Sequence, residues 1–258
     1  MKFFRRSNVK LQARKRRWKF FVRSVITLSC VLALTYTVRY LSLHLEKLKI
    51  NSILIEGAGG KLTTGVILKA SGLSVGMPIF SVDLPEVVRR LEQDPWIDRV
   101  RVSRRLPHTL LIDISRREPK LILSVGKFYY LGAHGEIFKE VEGAKDSRDF
   151  PVLTGLSREE IEQDPPRARE VFTQALKLLN AYEGQEASQP LGLSEIHYNS
   201  ASGFSLFPEK ARFRVIVGFE PFDGKLKRLS AALGKLKRMS QSFASIDLNY
   251  EGKVILTM

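Results

Sequence analysis

Apolar and polar residues follow three different patterns along this chain. Residues 24–38 carry no charge and lie inside a longer apolar stretch, 20–43. Residues 84–91 and 222–236 place apolar side chains every three or four positions, which predicts amphipathic helices. Residues 97–115 contain two alternating apolar and polar segments, which predict strands. The patterns together predict one continuous apolar segment and an α+β body.

The apolar stretch is long enough to cross a membrane only when its flanks are included. Residues 24–38 would rise about 22 Å as a helix, less than the roughly 30 Å of a hydrocarbon core. Extension to 20–43 supplies the missing length, since Arg23 and Arg39 would then lie near the two ends, where long side chains reach the headgroups. Aromatic residues suited to the interfaces are Trp18, Tyr36 and Tyr40. We therefore predict a transmembrane helix over 20–43.

Charge gives this helix a direction. Ten of the 42 basic residues and none of the 27 acidic ones fall within residues 1–23, so the formal net charge of +15 is mostly local and the rest of the chain carries only +5. The positive-inside bias predicts that residues 1–19 form a cytoplasmic tail touching anionic lipid, and that residues from about 45 onward lie beyond the membrane. A buried core helix would not explain the flanking cations. A cleavable signal peptide would need a better site than Val38-Arg39-Tyr40.

The first module after the helix has a clear order of elements. A strand is predicted over 49–57, followed by a glycine turn and a short helix from Thr63 or Thr64 to Ala70. A second helix follows Asp83, and two strands form a hairpin over 97–115. The module is therefore predicted to be a β-α-α-β-β unit of about 70 residues.

Several short segments of this module resemble a known family. Residues 48–119 are similar to a POTRA domain, and in particular to the FtsQ-type version that follows a single N-terminal anchor. The segments that carry the resemblance are Gly76-Met-Pro-Ile-Phe80-Ser-Val-Asp83, Asp94-Pro-Trp-Ile97, Val100-Arg-Val102-Ser-Arg104, Leu106-Pro-His-Thr-Leu110 and Ile112-Asp-Ile-Ser-Arg116-Arg-Glu118-Pro119. A POTRA domain by itself does not fix a function.

The second module is predicted to be a mixed sheet with two longer helices. Strands are predicted over 128–131, 136–139, 193–199, 203–207 and 212–218, with a short edge piece over 150–154. One helix starts after Asp164 and buries Ala168, Phe172, Ala175, Leu179 and Tyr182. The other follows Pro221, and residues 245–250 and 253–257 form a closing hairpin.

Residues 120–258 resemble the β-domain that follows POTRA in FtsQ proteins. The most specific match is Ile246-Asp-Leu-Asn-Tyr250, close to the family's Ile/Val-Asp-Leu-Arg-Tyr. Asn249 stands where the family usually has arginine, so an ion pair made by that arginine cannot be transferred to this chain.

No catalytic or metal-binding pattern is present in the sequence. Residues 57–61 partly resemble a phosphate-binding loop, but Leu62 occupies the position at which such a loop needs Ser or Thr. A turn after a strand is therefore the better interpretation. The four histidines lack metal-ligand spacing. Six cations on the helix after Pro221 have no interleaved aromatics, so we interpret them as a solvated face rather than a nucleic-acid site: Lys225, Lys227, Arg228, Lys235, Lys237 and Arg238. Binding to anionic lipid or to an acidic partner is the next interpretation of this face.

The FtsQ resemblance implies a non-enzymatic scaffold of the bacterial division complex, in the inner membrane at the septum. It implies binding to FtsB and FtsL, with links to FtsK, FtsW and FtsI, and no cofactor, small-molecule substrate or nucleic acid. Our hypothesis is that FtsB adds a strand to the C-terminal hairpin. The candidate partner-binding residues are Ile246, Asp247, Leu248, Asn249, Tyr250, Lys253 and Val254.

Other interpretations stay open on sequence alone. Plain core packing competes with partner binding for Ile246, Leu248 and Tyr250. A translocation or outer-membrane-assembly protein could also use a POTRA domain, although such proteins usually add a cleavable signal and a C-terminal barrel. A membrane-bound enzyme would need a clustered polar site.

Overall fold

The N-terminal helix is the longest element. In the computed structural model, which describes residues 6–45, 48–60, 62–143, 146–147, 149–236 and 243–257, this helix, α1, spans Arg6–Leu45. Its segment Val22–Tyr40 is apolar and long enough to cross a bilayer, and none of its side chains is buried. The hydroxyls of Thr27, Thr35 and Thr37 donate to carbonyls three and four residues earlier, so these polar groups are satisfied within the helix. The predicted N-terminal apolar helix is confirmed.

The chain divides into two compact units, one made of Met1–Gln93 with Arg99–Ile114 and one made of Asp94–Asp98 with Ser115–Met258. After α1, the first unit follows the predicted β-α-α-β-β order. Its elements are β1 (Ser52–Glu56), α2 (Thr64–Ser71), α3 (Leu84–Leu91), β2 (Ile97–Arg105) and β3 (Thr109–Arg116). The strands form a sheet in the order β1-β3-β2, with β1 parallel to β3.

Local chemistry sets the helix starts in this unit. The Thr63 hydroxyl accepts a hydrogen bond from the Val66 amide, and the Asp83 carboxylate accepts one from the Glu86 amide. Amides in the first turn of a helix have no partner within the helix, so each cap stabilises the start of its helix. The buried side chains between the sheet and the helices include Ile50, Leu62, Ile67, Ile79, Val87, Leu91, Leu110 and Ile112.

The second unit is built on one large mixed sheet. Its strands are β4 (Pro119–Val125), β5 (Lys127–Gly132), β6 (Ile137–Glu140), β7 (Val152–Thr154), β8 (Glu195–Asn199), β9 (Gly203–Phe207), β10 (Arg214–Gly218), β11 (Ser245–Asp247) and β12 (Ile255–Thr257). Their order across the sheet is β12-β11-β10-β9-β8-β7-β4-β5-β6. Strand β12 therefore lies at one edge of the sheet and β6 at the other, among the residues that the structure describes.

Within the described residues, three α-helices accompany this sheet, and two of them supply most of the helical part of its core. They are α4 (Arg158–Gln163), α5 (Pro165–Glu183) and α6 (Asp223–Leu236), and a short 3-10 turn covers Gln189–Leu191. All five predicted apolar positions of α5 are buried. From α6, Leu226, Leu229 and Leu233 join the same cluster as the strand residues Leu121, Leu153, Ile196, Leu206, Val215 and Ile246. The sheet and the two helices thus share one core.

One sequence-based expectation for this unit needs correction, and two elements of the unit were not predicted. The segment around 150–154 is not an edge piece, because β7 lies inside the sheet and pairs in parallel with both β4 and β8. The prediction also omitted β4, which pairs with β5 and β7, and the short helix α4. A three-residue strand carries too little alternation to show that it has two partners.

Candidate partner-binding edge

The C-terminal hairpin forms the last two strands of the large sheet. Strand β11 pairs in parallel with β10 on one side and antiparallel with β12 on the other. In the second pairing, Ser245 lies opposite Thr257, Ile246 opposite Leu256 and Asp247 opposite Ile255. Within the described part of the chain, no strand pairs with the outer side of β12. An edge of this kind presents backbone amide and carbonyl groups to which another chain can add a strand.

The candidate residues of β11 divide between core and surface. Ile246 and Leu248 are fully buried and belong to the same cluster as Phe222 and the leucines of α6. Asp247, between them, is half-buried, and its carboxylate accepts a hydrogen bond of 2.8 Å from the Asn249 amide. The side chains of Ile246 and Leu248 therefore hold β11 on the core and are not presented at the surface.

The turn that joins the two strands is presented outward. Tyr250 is 54% exposed, and Asn249 and Lys253 are exposed as well. The Tyr250 carbonyl accepts a hydrogen bond of 3.3 Å from the Lys253 amide, and Val254 packs partly against the core. The turn thus fixes its own backbone while leaving the Tyr250 ring in solvent.

Sequence reasoning missed the apolar side chains of β12 itself. Ile255 and Leu256 are exposed large hydrophobic residues on the edge strand. As consecutive residues of a strand they point to opposite faces of the sheet, so each face carries an exposed apolar side chain beside the open edge. The signal was present in the sequence, because residues 253–257 were predicted as a strand, but the candidate set stopped at Val254.

Two cations of α6 bond to backbone carbonyls near the ends of β10 and β11. The Lys225 ammonium donates to the carbonyls of Val217 and Phe219 at 2.9 and 2.8 Å, where β10 ends. The Arg228 guanidinium donates to the Leu248 carbonyl at 2.9 Å and to the Tyr250 carbonyl at 3.4 Å. The carbonyls of Phe219, Leu248 and Tyr250 lie past the ends of β10 and β11, and that of Val217 lies where the register of β10 shifts. The two side chains supply hydrogen-bond donors to these carbonyls.

The interpretation of the basic helix face as wholly solvated is therefore wrong for Lys225 and Arg228, which are half-buried and bonded to backbone. Burial lowers the pKa of the Lys225 ammonium, and the nearby Arg228 charge lowers it further. Lys227 is exposed, as expected for a solvated face. Lys237 and Arg238 lie outside the described residues.

The Asn249 side chain lies close to Gly218, the last residue of β10. Gly218 has a φ of +76°, and a β-carbon at this position would lie 1.9 Å from the Asn249 side-chain oxygen. The same oxygen is 3.5 Å from the Lys225 ammonium. The Asn249 side-chain oxygen therefore lies close to both Gly218 and the Lys225 ammonium.

Fold and edge together define a protein with an N-terminal apolar helix long enough to cross a bilayer, one POTRA-type unit and an open-edged mixed sheet. Residues 48–117 match the family described as "POTRA domain, FtsQ-type", and residues 122–249 match "Cell division protein FtsQ/DivIB, C-terminal". The chain belongs to the FtsQ/DivIB family of cell division proteins, and its role lies in cell division.

Proteins named "Cell division protein FtsQ" from three bacteria are similar over most of the chain. The protein of Geobacter sp. (strain M21) is 38% identical over 191 residues, which cover 74% of this chain and 69% of the relative. That of Geotalea daltonii is 33% identical with the same coverage, and that of Syntrophotalea carbinolica is 31% identical over 74% of this chain and 68% of the relative.

Proposed function

We propose that this chain is a non-enzymatic scaffold of the septal division complex, and that FtsB adds a strand to the outer edge of β12. FtsL would bind together with FtsB, and FtsK, FtsW and FtsI would join through the assembled complex. The observation that carries the proposal is the combination of an open strand edge with three exposed apolar side chains, Tyr250, Ile255 and Leu256. Backbone hydrogen bonds give affinity in such additions, and side chains give register.

The support beneath the edge favours a preformed site. Ile246 and Leu248 anchor β11 in the core, and Arg228 ties the turn to α6 through the carbonyls of Leu248 and Tyr250. A partner strand would therefore meet an ordered template and would not have to order it on binding, which lowers the entropic cost of association. Asp247, Asn249 and Lys253 would contribute polar contacts around the Tyr250 anchor.

Two single proline substitutions test strand addition directly. Successive amides of a strand point to opposite sides, so of Ile255 and Leu256 one donates towards β11 and the other towards the outer edge. Proline removes the donor. The outward variant of the pair Ile255→Pro and Leu256→Pro is expected to keep the wild-type unfolding temperature and to lose FtsB binding. If the variant that unfolds normally also binds FtsB normally, strand addition at β12 is wrong.

We also propose the placement of the chain in the cell. Residues 1–19 would lie in the cytoplasm, residues 20–43 would cross the inner membrane, and a POTRA domain (48–119) and a β-domain (120–258) would lie on the far side, at the septum. The cations of the tail support this direction. A topology reporter fused at the C-terminus should be active only outside the cytoplasm.

Depletion in the native cell should give filaments without constricted septa, whereas normal division with outer-membrane defects would contradict a division scaffold.

A further inference from the structure

Three exposed apolar side chains lie on segments of the first unit that are hydrogen-bonded to the residues following α1. Val75, Phe80 and Leu106 are 65%, 54% and 61% exposed. They belong to two segments that are apart in sequence, the loop over 74–80 and the tip of the β2–β3 hairpin over 104–108. Neither segment takes part in the edge at β12, and large apolar residues exposed together point to an interaction surface.

Backbone hydrogen bonds tie both segments to the residues that follow α1. The Ile79 amide donates to the Leu48 carbonyl at 2.9 Å, and the Ile50 amide donates to the Met77 carbonyl at 2.8 Å. The Asn51 amide donates to the His108 carbonyl at 2.8 Å. The loop, the hairpin tip and residues 48–51 therefore form one end of the first unit, which we call the anchor-proximal tip.

Chain length keeps this tip close to the membrane. Residues 41–45 of α1 rise about 7 Å beyond the apolar segment. Helix α1 ends at Leu45, and three Cα steps lead from there to Leu48, a reach of about 11 Å at most. Leu48 thus lies within roughly 18 Å of the hydrocarbon boundary, of which the headgroup layer itself takes about 5 to 7 Å. The tip is therefore within reach of the headgroup layer.

The charge of the tip has one sign. Residues 48–51, 74–80 and 104–108 contain Lys49, Arg104 and Arg105 and no Asp or Glu. Lys49 and Arg105 are exposed. Arg104 donates to the carbonyls of Ile79 and Val82 at 2.9 and 2.6 Å and stacks over the Phe80 ring at 5.8 Å, so it holds the loop against the hairpin. Exposed apolar side chains on the same segments as exposed cations are the pattern of a surface that binds anionic lipid.

We propose that the anchor-proximal tip binds an anionic lipid surface. Val75, Phe80 and Leu106 enter the headgroup layer, and Lys49 and Arg105 contact lipid phosphates. The contact would fix the orientation of the first unit relative to the membrane. The proposal requires that α1 crosses the bilayer, and it is independent of what binds at β12.

Site-directed fluorescence tests this with the full chain in nanodiscs and no other protein present. An environment-sensitive dye is attached to a single cysteine introduced by Val75→Cys or Leu106→Cys in a Cys30→Ser background. The matched control is Val66→Cys, because Val66 is an exposed valine at the start of α2, beyond the far end of β1. A dye on native Cys30, inside the apolar segment, reports separately whether the anchor is inserted.

The expected result is a blue shift and quenching by lipids brominated near the headgroup at positions 75 and 106, with a water-like signal at 66. Quenching should be stronger with phosphatidylglycerol than with phosphatidylcholine, and Lys49→Glu with Arg105→Glu should remove that difference. A lipid-like signal at Cys30 with water-like signals at 75 and 106 would show that α1 is inserted but that the anchor-proximal tip does not bind lipid, which overturns the proposal. Equal quenching in both lipids overturns the anionic preference. A water-like signal at Cys30 shows instead that the anchor itself has failed.

Discussion

Removal of the Tyr250 ring should weaken partner binding far more than folding. Tyr250 is 54% exposed. If a fully exposed tyrosine presents about 200 Å², about 110 Å² remains for a partner to cover. At about 25 cal/mol per Å², that area corresponds to about 2.7 kcal/mol, or roughly a hundredfold in Kd. We therefore expect Tyr250→Ala to weaken binding of the extracytoplasmic FtsB segment by up to about a hundredfold.

Isothermal titration of the full chain with that FtsB segment measures this effect, and thermal unfolding of the same sample shows whether the fold is intact. The matched control is Phe128→Ala. Phe128 is an aromatic residue of similar exposure, 45%, on β5, close to the opposite edge of the sheet from β12. The control should bind as the wild type does. Wild-type affinity in Tyr250→Ala, or an equal loss in both variants, would refute the role of Tyr250 as an anchor.

Three further predictions concern the support beneath the edge and the core. Arg228→Met removes donors to the Leu248 carbonyl and should lower the free energy of unfolding by about 1–3 kcal/mol; urea titration should show no such loss for the exposed control Lys227→Met. Leu226→Ala opens a cavity at a fully buried position and should cost about 2–5 kcal/mol in the same assay, a loss under 1 kcal/mol counting against the assigned core. Burial raises the pKa of Tyr182 from 10.0 to about 12, so the folded state favours the neutral phenol. The resulting contribution to the free energy of unfolding is complete below pH 10 and is lost between pH 10 and 12. Tyr182→Phe should lose less stability over that range and should lack the phenolate absorbance step near pH 12; an unchanged absorbance titration would contradict the assignment.

Helix periodicity was the most reliable guide from sequence to fold. The predicted buried face of α5, from Ala168 to Tyr182, matches the structure because one side of a helix against a sheet imposes a regular spacing. The order of elements in residues 48–119 was also confirmed, since caps such as Thr63 and Asp83 mark helix starts locally. These features depend on neighbours in sequence.

What sequence could not supply depended on neighbours in space. Strand β7 has three residues and gains its place from parallel partners on β4 and β8, about 30 and 43 positions away. Lys225 and Arg228 fall on the polar side of α6 by spacing alone. Their true partners are carbonyls at the ends of β10 and β11, which only the assembled sheet brings within reach.

For the candidate edge, the hairpin could be predicted from the sequence, but which of its side chains are buried and which are exposed could not. Ile246 and Tyr250 stand in one short motif, yet the first is fully buried and the second is mostly exposed. The break in alternation after Leu248, where the turn begins, separates side chains that hold the edge from those that surround it.

Backbone hydrogen exchange at the edge strand tests the account most directly. Exchange of residues 255–257 is followed by mass spectrometry in the full chain, with and without the extracytoplasmic segment of FtsB. Strand addition predicts that the outward amides of β12 become protected when the segment is added, while those of β6 at the opposite edge do not change. Protection that appears elsewhere and leaves residues 255–257 as exchangeable as before would contradict it.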